Sequence, residues 1–89
     1  MEKERLFKMT ETEQCVLVAA LKANSGDLAH RAANAPRRRL YLDGSEYQQA
    51  MRGLNQLRTD YLAAGHYSDG IDAVMLKLMR SKPRRAPTR

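Results

Sequence analysis

Along the chain, apolar residues recur at helical spacing in several blocks separated by polar or helix-breaking residues. Thr10 and Glu13 stand three apart just before the run Cys15 to Leu21. That is the spacing of a capping box, in which each side chain satisfies the other's free backbone donor, so a first helix is predicted from Thr10 to Asn24. Val16 to Leu21 are apolar almost all round, which predicts a central helix with neighbours on more than one side. Gly26 suits a left-handed stop, and a second, shorter helix is expected from Asp27 as cap to Ala35, ended by Pro36.

Either Asp43 with Glu46 or Ser45 with Gln48 supplies a second capping box. From there Tyr47, Ala50, Met51, Leu54, Leu57, Tyr61 and Leu62 keep helical spacing up to Gly65. Ser68 and Asp69 open a last helix with Ile71, Val74, Met75, Leu78 and Met79 on one face, stopped by Pro83. The alternation around Leu40 and Leu42 is too short to establish a sheet, and residues 37–43 are treated as a connector.

Composition supports the same class. Aromatics make up only 6% of the 89 residues, while the helix formers Ala, Leu and Met are plentiful. The expectation is an all-α fold: a compact bundle of three to four helices over residues 1–82, with a basic, disordered tail over 83–89. The helices over 45–64 and 69–81 are expected to form an antiparallel hairpin. The longest apolar run is far short of the roughly 18 residues that a bilayer span needs, and the amino terminus has alternating charges, so a cytoplasmic protein without a membrane partner is expected. The single cysteine, Cys15, lies inside the apolar run and reads as a buried, inert thiol.

Charge adds what periodicity does not. The net charge is +6, but residues 1–30 hold four basic and five acidic groups, and residues 43–76 two basic and five acidic. The excess sits in two islands: Arg31 with Arg37, Arg38 and Arg39, and a carboxy-terminal set including Lys77, Arg80, Lys82, Arg84 and Arg85. Arginine's planar, five-donor fork suits phosphate oxygens and carboxylates. The candidate nucleic-acid contacts are therefore Arg31, Arg37, Arg38, Arg39, Arg80, Lys82, Arg84 and Arg85. Stacking platforms for single strands want Phe, Tyr or Trp beside the basic residues, and the scarcity of aromatics next to these arginines counts against single-strand binding; Tyr41 is the one nearby candidate.

The long third helix carries Ser45, Gln48, Gln49, Arg52, Asn55 and Gln56 off its apolar stripe, side-chain types that read base edges in a groove. The connector before it is too long for a helix-turn-helix, so a solvated polar face is the plainer account. Arg58 falls about 20° from Tyr47 at about 100° per residue, in the middle of the stripe, and needs either water, a nearby carboxylate or a partner's anion. Gly53 inside the same helix marks a close backbone approach. The last helix presents Met75, Leu76 and Met79, a surface wider than one packing face needs. With Arg58 these form the candidate protein interface, for a target or for a homodimer.

No phosphate-binding glycine loop, zinc-protease helix or nucleophile elbow is present, and His66, Asp69 and Asp72 do not share one helical face. The expectation is a non-enzymatic regulatory or accessory protein without cofactor, metal or small-molecule substrate. It would contact nucleic acid, or an assembly that handles it, through the arginine islands. An acidic protein surface is the alternative partner for the islands, and the competing expectation is a protein-interaction module, an inhibitor or adaptor docking or dimerising through its Met-rich last helix. In size and charge the chain is similar to small accessory proteins of phages and plasmids, an analogy only.

Overall fold

The computed structural model describes residues 3–81 and 83–85. Along them run β1 (Lys3–Lys8), α1 (Glu11–Lys22), α2 (Gly26–Ala33), a single 3-10 turn at Pro36–Arg38, β2 (Arg39–Leu42), α3 (Gly44–Ala63), α4 (Asp69–Arg80) and β3 (Pro83–Arg85). The fold is mostly helical, with four helices as the periodicity predicts. The radius of gyration is 12.7 Å, close to the roughly 12 Å expected of a packed domain of this length.

Two of the helix starts are fixed as the sequence predicts. Thr10 Oγ1 accepts the Glu13 N–H at 3.2 Å, and Glu13 Oε1 accepts the Thr10 N–H at 2.8 Å. At α3 the box is built from Asp43 and Glu46, with bonds of 2.8 and 3.0 Å. The α1–α2 junction differs from expectation. Gly26 is not a left-handed stop but the first residue of α2, and the cap is Ser25, whose Oγ accepts the Leu28 N–H at 3.3 Å. Asp27 falls inside the first turn, where its negative charge complements the helix dipole. At the other end of α2, Gln14 of α1 donates its side-chain amide to Ala32 O at 2.8 Å and Ala33 O at 3.2 Å, adding a donor at the last carbonyls of the helix.

α1 is central, packing against α2, α3 and α4 through Leu17, Ala20 and Leu21. Cys15 is exposed, which corrects the expectation of a buried thiol. Leu17, Ala20 and Leu21 lie between about 140° and 240° around the helix from it, so burying them turns Cys15 outward. The stripe of α3 is buried at Ala50, Gly53 and Leu54 but runs into solvent at Tyr61 and Leu62, which are 41% and 50% exposed. α3 ends at Ala63, and beyond its cap Ala64 stands Gly65 with a left-handed φ of 79°, where the helical spacing of the sequence stops. In α4, Ile71, Val74 and Leu78 are buried and Met75 is half-buried. Met79, expected on the same face, is 56% exposed. Ser68 precedes α4 without capping it; its hydroxyl donates to Asp72 Oδ2 at 3.0 Å.

The sheet is the element that hydrophobic spacing did not reveal. β1 pairs antiparallel with β2 on one side and β3 on the other, in the order β2-β1-β3. The connector 37–43 therefore contains a strand, and Pro83–Arg85 of the expected tail is a strand as well; residues 86–89 lie outside the described residues. In the register Phe7 faces Leu40 and Arg5 faces Leu42, and Phe7, Leu40 and Leu42 are buried in the shared core. Arg5 stays on this inner side by laying its guanidinium over the Tyr47 ring, 4.0 Å from the centroid, and donating to the Ser81 carbonyl. Among the described residues no helix is long and apolar enough to cross a membrane.

Candidate nucleic-acid interface

The first arginine island is shaped by a tight turn. Arg37 and Arg38 both have left-handed backbones, with φ of 54° and 56°, and the Arg39 N–H closes the turn onto the Pro36 carbonyl. Positive φ at both central positions is the hand of a type I′ turn, whose usual occupants are Asn and Gly because a Cβ there is strained. The turn is pinned from outside too: Met9 N–H donates to Arg38 O at 2.9 Å, which starts the β1–β2 pairing.

From Arg39 the chain is extended, and side chains alternate. Leu40 and Leu42 go into the core, so Arg39 and Tyr41 belong to the opposite face of the sheet. Opposite them in the register stand Lys8 and Leu6. Arg39 and Lys8 are exposed; Tyr41 and Leu6 are half-buried, and neither joins the core cluster. One step further along β1 on that face is Glu4, with Arg84 of β3 opposite it and Arg85 opposite Lys3. The sheet thus brings both arginine islands to the same strand, one on each side of β1.

Between α2 and this face lies an open cleft of about 790 Å³, lined by His30 and Arg31 of α2, by Asn34 that caps it, by Arg37 of the turn, by Arg39 and Tyr41 of β2, and by Glu4 of β1. Its volume falls within the usual range of ligand-binding clefts. Arg31 is committed within the chain: it pairs with Glu46 and donates through Nη2 to the Tyr41 carbonyl at 2.9 Å, fixing α2 beside β2. Arg38 has Glu11 at 4.0 Å. Among the described residues no carboxylate comes within that distance of Arg37 or Arg39, so these two are the available cations of the cleft. Asn34 Nδ2 donates to the His30 carbonyl at 2.9 Å and lies 3.4 Å from His30 Nδ1, leaving both side chains at the surface.

The candidates described on α3 and α4 do not line this cleft. Arg80 is exposed in the last turn of α4, and Lys82 lies outside the described residues. Lys77 is held by Glu13 at 2.7 Å and lies 5.7 Å from the centre of the Phe7 ring. Arg58 meets Asp72 inside the chain at 2.7 Å, and Asp72 in turn accepts from Ser68, so the stripe arginine finds its carboxylate on the neighbouring helix. Leu76 and Met79 are exposed on α4, 47% and 56%, and Met75 packs against the core. Among the described residues no group of three or more His, Cys, Asp or Glu side chains converges on a metal position.

Sequence spacing missed Glu4, His30 and Asn34 as lining residues of the cleft, and Leu6 and Lys8 as neighbours of Tyr41 and Arg39 on the sheet face. The available signal was the alternation in ERLFK, whose only large core residue, Phe7, stands between two outward positions. Comparison of the chain with protein-family models, with curated proteins and with solved structures gives no match.

Proposed function

We propose that this protein is a non-catalytic accessory protein that binds nucleic acid through the cleft between α2, the Pro36–Arg38 turn and the outer face of β2. One observation carries the reading: Arg37 and Arg39, without carboxylate partners among the described residues, share a cleft with the half-buried ring of Tyr41. Planar guanidinium groups bind phosphate oxygens through paired hydrogen bonds, and neutralising phosphates releases counterions, which gives binding a steep salt dependence. The net charge of +6 favours encounter with a polyanion. A titration of fluorescent single- and double-stranded probes at about 50 and 200 mM salt tests it. Binding should weaken by orders of magnitude over that range, and Arg37→Ala with Arg39→Ala should flatten the salt dependence. Absence of binding at the lower salt would overturn the reading.

A second reading, docking onto another protein, is favoured by the exposure of Leu76 and Met79 on α4. Exposed methionine adapts to varied partners. For the self-association form of this reading, sedimentation should show a dimer that Met79→Glu dissociates; a monomer at all concentrations would leave only an unlike partner.

A further inference from the structure

We infer that the strand this cleft takes is single-stranded, with one unstacked base lying against Tyr41. The inference rests on the nucleic-acid reading of the same cleft and names its ligand. On the outer sheet face the register sets three successive rows: Lys8 opposite Arg39, then Leu6 opposite Tyr41, then Glu4 with Arg84 of β3 opposite it. The rows are basic, apolar-aromatic and of mixed charge in turn, with the Glu4 carboxylate on the cleft wall, and neighbouring rows are roughly 7 Å apart, two residues of strand. That order matches the parts of one nucleotide: phosphate at the cationic row, base over the aromatic row, and the polar base edge toward the acid.

The Glu4 carboxylate decides between alternatives. Lining the same cleft as Arg37 and Arg39, it opposes a continuous run of phosphates across the face, as docking of a rigid duplex backbone would require. A carboxylate suits instead the amino donors on base edges, which a base presents once it has left its stack. His30 and Asn34, on the facing wall, add polar groups of the kind that hydrogen-bond base edges. The strand backbone that carries Tyr41 is tied to the facing wall, since the Tyr41 carbonyl accepts from Arg31, itself paired with Glu46.

The test uses the full chain with three probes of about 10 nucleotides, a length within the site sizes of small single-strand binders: a mixed-sequence single strand as RNA or as DNA, its duplex, and an abasic single strand with the same phosphates. The base-bearing strand should bind at least roughly tenfold more tightly than either the duplex or the abasic strand. Tyr41→Leu should remove about that factor for the base-bearing strand and leave abasic binding unchanged, while Tyr41→Phe retains wild-type affinity. The RNA and DNA arms distinguish the two sources of this chemistry. Equal binding of abasic and base-bearing strands, or preference for the duplex, overturns the inference while the nucleic-acid reading stands. Failure of every probe to bind at low salt overturns both. Because the abasic comparison uses the wild-type chain, a Tyr41 variant that failed to fold would not blunt the result.

Discussion

The α3 backbone passes so close to α1 that a Cβ on Gly53 would lie 2.5 Å from the carbonyl oxygen of Ala20. Alanine at position 53 would gain about 1 kcal/mol of helix propensity. The contact is with backbone in the centre of the domain, so relief requires the two helices to separate, at a cost of about 1–3 kcal/mol or more for overpacking. Gly53→Ala is expected to lower stability in urea denaturation, and an unchanged or raised midpoint would refute the close crossing.

The Pro36–Arg39 turn predicts the opposite sign. Arg37 and Arg38 hold left-handed backbones that cost an L residue about 1–2 kcal/mol each, whereas Asn and Gly accept them readily. Arg37→Asn with Arg38→Gly should raise stability by about 1 kcal/mol after the unfolded-state entropy of glycine is counted. The same double variant should weaken nucleic-acid binding. A thermal melt and a binding titration on one preparation read both, and a variant both less stable and equally tight would contradict the account.

Burial pushes the Glu13 carboxyl up, but the hydrogen bond from Lys77, the Thr10 backbone N–H and the Lys77 charge outweigh it and hold the group below its ordinary value. A carboxyl depressed in the folded state contributes stability above its unfolded pKa and loses that contribution as pH falls through the folded one. Part of the acid sensitivity below about pH 4.5 should therefore disappear in Glu13→Gln. Glutamine preserves the capping box, so the loss at neutral pH should stay within about 1 kcal/mol. Denaturation midpoints at neutral and acid pH check this.

Asp72 joins Arg58 of α3 to Ser68, which is 6% exposed. Arg58→Ala removes one half-exposed ion pair and should cost less than about 1 kcal/mol. Asp72→Ala also leaves the buried Ser68 hydroxyl without its acceptor, and should cost about 1–3 kcal/mol. Equal losses in chemical denaturation would mean that Ser68 finds another acceptor.

The helices were legible in the sequence because their determinants are local. A capping box acts over three residues, and the Thr10–Glu13 and Asp43–Glu46 boxes form as their spacing predicts. Gly53 was readable as a close approach for the same reason: glycine inside a helix is costly unless something crowds it. Local signals alone could not decide between Gly26 as a stop and Ser25 as a cap, since both suit the junction.

The amino acid sequence by itself determined the helical class, the central position of α1 and the existence of two arginine islands. The tertiary structure decided where the islands stand relative to one another. β1 and β2 are separated by two helices in the chain, and their pairing is worth forming only once Phe7, Leu40 and Leu42 share a core with those helices. That pairing turns Arg39 and Tyr41 to one face, and Arg31 closes α2 against the strand. Burial of Leu17, Ala20 and Leu21 in the same core fixed which way α1 faces, and so left Cys15 outside. Spacing along the chain records contacts within a turn of helix; a cleft walled by α2 and two strands depends on contacts between residues about thirty apart, which only the packed core brings together.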